Sequence, residues 1–162
     1  MAEYTITDPK GIRIKSLLLS DIQGMHTLLK KEGSIDSENK FSDEQKAIAL
    51  DEVQTRIAQR NKTDKQASAD VLLCLTGNKY LFIDAKFNST SVKNISPTEL
   101  KSKLNSSISL VLSDDYTYAN AFYVLFKLSV LTPTQYNRLK RLFAGKPQFR
   151  FMNAIDFWKL FD

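Results

Sequence analysis

Asp70 and the triplet Asp84-Ala85-Lys86 place three charged side chains in two otherwise apolar, β-rich stretches, Ala69 to Leu75 and Lys79 to Phe87. Charges are rarely set into buried strands without a partner or a metal. Asp84 and Lys86 are two residues apart, so they share one face of their strand. If Asp70 joins them, two carboxylates repel each other, and a shared divalent cation relieves that repulsion. Magnesium or manganese accepts such oxygen ligands. A lysine beside them stabilises negative charge or positions a water. Together these groups are equipment for metal-assisted hydrolysis of a phosphodiester.

Register decides whether the two aspartates meet. Thr76-Gly77-Asn78 separates the stretches, which reads as a β-hairpin. A two-residue loop, Gly77-Asn78, sets Asp70 opposite Ala85 and points it away from Asp84. A three-residue loop, with Gly77 or Asn78 in the left-handed region, sets Asp70 opposite Asp84, Leu72 opposite Phe82 and Cys74 opposite Tyr80. Both faces of the hairpin are then largely apolar, as a sheet between two helix layers requires. The three-residue register is the expectation. The plainer alternative is a cross-strand ion pair of Asp70 with Lys86, with Asp84 capping a loop.

The surrounding elements follow from helix-start signals. Ser20-Asp21-Ile22-Gln23, Ser42-Asp43-Glu44-Gln45, Ser96-Pro97-Thr98-Glu99 and Thr132-Pro133-Thr134-Gln135 all read Ser/Thr-x-x-Glu/Gln, the capping-box pattern. Two add proline at the first helical position. Helices are expected over 21–31, 43–60, 97–112 and 133–143, with a last one capped by Asn153. Strands are expected over 11–19, 121–130 and 148–152 besides the hairpin. Ala47, Leu50, Val53 and Ile57 give the 43–60 helix its apolar face. The order suggests one α/β domain: a central sheet with helices on both faces.

Composition narrows the chemistry. The chain has 162 residues, 43% hydrophobic and 25% charged, with Lys+Arg 23 against Asp+Glu 18 and a formal charge of +5. One cysteine, Cys74, excludes an intramolecular disulfide and a cysteine zinc cluster. One histidine, His26, excludes two-histidine acid–base pairs and multi-histidine metal cages within a chain. Carboxylates are left as the main metal ligands. No signal peptide and no apolar run long enough to cross a bilayer is visible, so a cytoplasmic protein without a membrane partner is expected.

Asp70 followed by Asp84-Ala85-Lys86 at the end of an apolar strand resembles the PD-(D/E)xK nuclease superfamily. The preceding helix and the following helix–strand–helix–strand order are similar to it as well, over 42–162. The motif's proline is replaced by Ala69. The resemblance implies a restriction-endonuclease-like α/β/α core with a central mixed sheet over 42–162, and makes 1–41 an accessory strand and helix packed on it. It implies that Asp70 and Asp84, helped by the Ala85 carbonyl, ligate Mg2+ or Mn2+, and that Lys86 assists the attacking water. It also implies a further glutamate on the preceding helix, matched by Glu44, with Glu52 as runner-up.

The expected activity is thus metal-dependent cleavage of nucleic acid, DNA ahead of RNA, lost in Asp84→Ala. Lys93, Lys101, Arg138 and Arg141 are the expected backbone contacts, which give affinity without sequence choice. The alternative is a catalytically inactive module on the same scaffold that binds nucleic acid or protein. So short a chain has little room for a specificity domain, which suggests a homodimer or a larger complex.

Overall fold

The computed structural model describes residues 2–162. Among them are six strands in one mixed sheet and five α-helices. The strands are β1 (Ile22–Gly24), β2 (Lys46–Ala49), β3 (Val71–Leu75), β4 (Lys79–Ala85), β5 (Thr117–Phe126) and β6 (Phe149–Asn153). The helices are α1 (Met25–Lys31), α2 (Leu50–Asn61), α3 (Pro97–Ser109), α4 (Pro133–Leu142) and α5 (Ala154–Trp158). Strand order follows sequence order. β1 to β4 pair antiparallel, and β4, β5 and β6 pair parallel, with α3 and α4 as the crossovers.

The hairpin has the three-residue loop. Val71 pairs with Ile83, Leu72 with Phe82, Cys74 with Tyr80 and Leu75 with Lys79. Gly77 (φ 80°) and Asn78 (φ 54°) take the left-handed conformation that such a loop demands. The even-numbered residues of β3 and β4 join a core with Leu50 and Val53 of α2, Leu100 and Leu104 of α3, and Leu139 and Phe143 of α4. The odd-numbered residues pack beneath Met25, Leu28 and Leu29 of α1 and Phe157 of α5. The central strands are therefore apolar on both faces, as a sheet between helix layers must be.

Both proline-bearing helix starts form: Ser96 Oγ accepts from Glu99 N–H and Thr132 Oγ1 from Gln135 N–H. Asn153 caps α5 as expected. The two starts without proline do not form helices. Residues 19–21 make a 3-10 turn that runs into β1. Ser42 N–H does bond the Gln45 side chain, but the chain then enters β2, and α2 begins only at Leu50. Ala47 to Leu50 is fully buried. An apolar run that short fills a slot between two strands as readily as it starts a helix face, and the vacant edge of β3 takes it. The expected 11–19 strand reduces to a single bridge, Ile14 with Val111. β1 and α1 belong to the same sheet and the same core as the rest. No described helix is long and apolar enough to cross a membrane.

Candidate functional site

Asp70 stands one residue before β3, and Asp84 is the penultimate residue of β4. The β3–β4 ladder ends at Val71 with Ile83, and Asp70 stands just beyond it, beside the end of β4. The backbone around Asp70 is pinned on three sides. Its N–H donates to the Ile83 carbonyl at 3.0 Å, and its own carbonyl accepts from Leu50 N–H, at the start of α2, at 3.0 Å. Ala69 N–H donates to the buried Ser107 hydroxyl of α3 at 2.8 Å. Ala69, where the motif's proline would stand, thus has its position set by α3.

The Asp70 carboxylate accepts from Ala85 N–H at 2.7 Å. In a strand the carbonyl of a residue points to the same side as its N–H, so the Ala85 carbonyl also faces the Asp70 side. Burial first, then the charges of Asp84 and Glu32, push the Asp70 carboxyl up to about 8, against the pull of Ala85 N–H and Lys103. Asp84 is 1% exposed. It is held by two ammonium groups: Lys103 Nζ at 3.1 and 3.3 Å from its two oxygens, and Lys86 Nζ at 3.5 Å. Lys86 pairs with Asp84 and not with Asp70, so the cross-strand ion pair of the plainer alternative does not form.

Lys103 lies on α3 with Leu100, Leu104 and Ser107 on one stripe of helical spacing, and those three are buried. A lysine on an apolar stripe is a legible signal that a buried carboxylate waits opposite. Lys101, two residues away, is exposed on α3 and turned away from that stripe.

A further carboxylate, which the motif did not indicate, acts on the site from the end of α1: Glu32. It caps the C-terminus of α1. Its carboxyl is raised by burial and then by Asp51 and Asp84, and it acts in turn on Asp70. Gly33 follows with φ 100°. A Cβ there would lie 2.5 Å from Asn88 Oδ1, so this glycine brings the end of α1 against the loop after β4. The signal was present: an acid at a helix C-terminus opposes the helix dipole, and Glu32-Gly33 combines that cost with a C-cap glycine.

Glu44 is not a helix residue. It lies in the exposed turn before β2, beside Thr5, Thr7, Asp8 and Asp162. The other end of β2 leads toward Asp70, so the strand that replaced the expected helix start carries Glu44 away from the aspartates. Glu52 sits in the first turn of α2, exposed, and accepts from Gln23 Nε2 at 3.1 Å.

From Lys86 a polar cleft of ≈ 350 Å³ runs along Asn88, Ser89, Thr90, Ser91 and Asn94 to Glu99. Val92 and Ile95 tuck into the core and fix this loop. On its other side Val92 and Lys93 form a groove with Arg138 and Arg141 of α4. Three of the four expected backbone-contact residues therefore come together, and Lys101 does not join them. Hydroxyls and amides beside Lys86, continued by three cations, suit a phosphate chain. His26 is tied to the Phe41 carbonyl, and Cys74 is a buried core thiol.

Comparison of the chain with protein-family models, with curated proteins and with solved structures gives no match.

Proposed function

We propose that this protein is a metal-dependent nuclease of the PD-(D/E)xK type, on a restriction-endonuclease-like version of its α/β fold, acting on nucleic acid and on DNA first. The observation that carries the reading is the meeting of Asp70 and Asp84 at the end of the β3–β4 hairpin, where the Asp70 carboxylate accepts from Ala85 N–H and Lys86 Nζ lies 3.5 Å from Asp84. The carboxylates of Asp70 and Asp84 suit a divalent cation: burial first, then the charge of Asp84, raises the Asp70 carboxyl, and a shared cation relieves such repulsion. Asp70, Asp84 and the Ala85 carbonyl would hold Mg2+ or Mn2+, which when bound supplies Lewis-acid activation of water and charge at the phosphate. Lys86 would position the attacking water, and Lys93, Arg138 and Arg141 would hold the strand beyond the cleft. The test is direct. Cleavage of single- and double-stranded substrates should require magnesium or manganese and stop in chelator. A protein inert on DNA and RNA with either metal rejects the reading.

A second reading has its own support. Two lysines already neutralise Asp84, and among the described residues no three His, Cys, Asp or Glu side chains are grouped to hold a metal. A module that binds nucleic acid without cutting it would look like this too. Both readings use the basic groove. Lys93→Glu with Arg138→Glu is expected to weaken DNA binding in chelator. It should also flatten the dependence of log K on log salt by about two. Lys101→Glu, outside the groove, should change the slope far less. Anisotropy titrations over a salt series measure this, and equal slopes for all three proteins would remove the groove from the interface.

A further inference from the structure

The positive charge of the chain is concentrated in one stretch. Between Asp115 and Asp156 no Asp or Glu occurs, whereas Lys127, Arg138, Lys140, Arg141, Lys146 and Arg150 all lie there. Those six cations exceed the whole formal excess of +5. α4 buries Leu139 and leaves Arg138, Lys140 and Arg141 exposed. Arg138 and Arg141 line the groove with Lys93 on one flank of this helix. On its other flank lies a hollow of ≈ 530 Å³ that no role described so far uses. Phe143 and Phe149, both buried, line it together with Tyr136, which is 38% exposed. Lys140, Lys146 and Arg150 are the charged part of the lining. Arg150 is engaged by Tyr123 at 2.8 Å. Lys140 and Lys146 are exposed and make no ion pair among the described residues. Lys140 Nζ stands 5.9 Å from the centre of the Tyr136 ring, so aromatic surface and cation lie side by side.

We propose that this hollow receives an unpaired base of a single-stranded nucleic acid, stacked on Tyr136. Lys140 and Lys146 hold the phosphates beside that base, and the strand crosses the exposed face of α4 to Arg138, Arg141 and Lys93. An exposed aromatic ring in an apolar hollow suits a base, because every base has a π face that stacks on such a ring whatever the sequence. The cationic rim, in a stretch free of carboxylates, calls for an anion and argues against a purely apolar occupant. Continuity across α4 with the phosphate groove favours a nucleic acid over another anion. In a duplex the bases are paired and stacked inside the helix and do not reach such a hollow, so the occupant is a single strand or an unpaired stretch. The proposal rests on the nucleic-acid binding common to both readings above, and it narrows the partner from nucleic acid in general to single strands.

Anisotropy titrations of the full chain in chelator test it, with a labelled oligothymidine, the same strand with its bases removed, and a duplex of equal length. The wild type should bind oligothymidine at least about fivefold more tightly than the abasic strand, the lower end of what one base–aromatic stack contributes. Tyr136→Ala should bind the two strands alike, and Tyr136→Leu, which keeps apolar bulk without a ring face, should do the same. Tyr136→Phe should retain the preference. Melting should be close to wild type in all three, since the side chain is partly exposed. Duplex binding and the salt dependence should not change in Tyr136→Ala, because no phosphate contact is lost. A wild type that binds oligothymidine and abasic strand equally overturns the inference, since charge alone then occupies this surface. So does a Tyr136→Ala protein that keeps the preference. Either result leaves nucleic-acid binding standing, whereas a wild type that binds none of the three probes removes that reading and this inference together.

Discussion

Asp70→Asn is expected to abolish metal-dependent cleavage and yet to make the metal-free protein more stable at about pH 8 and above. The Asp70 carboxyl has an ordinary value of 3.8 and is held at about 8 by burial, Asp84 and Glu32. Between these values the folded chain keeps a proton that the unfolded chain has released. The stability tied to Asp70 is therefore full below the lower value and is lost as the pH climbs toward the upper one. Asparagine has no proton to lose, and its side-chain oxygen still accepts from Ala85 N–H. The two proteins should melt together near pH 4. At about pH 8 the variant should lead by at least about 1 kcal/mol, roughly 2–4 °C for a chain of this size.

Activity should move the other way. Asparagine gives a cation no formal charge, and cleavage should fall about 10²–10³-fold or more, the scale of losing an electrostatic group that acts in the transition state. Magnesium should also flatten the wild type's loss of stability with pH, since a bound cation favours the ionised carboxylate. A melting series in chelator and in magnesium reads all of this. A wild type whose stability does not fall between pH 5 and 8, or an active Asp70→Asn protein, removes Asp70 from the proposed site.

The hairpin and its aspartates were legible in the sequence because two local signals agreed. Charges broke apolar strands, and a Gly-Asn pair suited to the left-handed region fixed the register. The helix starts at Ser96 and Thr132 were legible because proline left the first turn no alternative. At Ser42 the local signal was also real, since the Gln45 side chain bonds the Ser42 N–H. What overrode it was tertiary: Ala47, Ile48 and Ala49 are taken up in the sheet between β1 and β3 and are buried there. That single substitution of strand for helix start moved Glu44 out of the site. Glu32 was hidden for a related reason. It comes from the segment expected to be accessory, and the end of α1 that carries it packs through Gly33 on Asn88 of the loop after β4. Lys103 was within reach of periodicity alone, as the one cation on a buried stripe.

Lys103→Gln is expected to tighten divalent-metal binding. Lys103 Nζ spans both oxygens of Asp84, at 3.1 and 3.3 Å, which is where a cation ligated by Asp84 would draw its charge. Burial alone pulls this ammonium down, but Asp84 outweighs it and the net direction is up. The lysine is thus charged at neutral pH, where it competes with any metal for Asp84. Glu99, 3.9 Å away on the next turn of α3, is a second partner to which it can withdraw. Removing the ammonium should raise Mn2+ affinity by about tenfold or more, since about 1.4 kcal/mol of competition is modest for a charge pair this shielded. The metal-free variant should lose about 1–3 kcal/mol, because Asp84 is then left buried with Lys86 alone. Lys101→Gln, on the exposed side of the same helix, should change neither quantity. Calorimetric titration with manganese, with no nucleic acid present, separates this from any effect on cleavage. Unchanged or weaker binding in Lys103→Gln would show that lysine and metal do not share Asp84, and it would favour the reading in which the paired lysines make the site a binding surface alone.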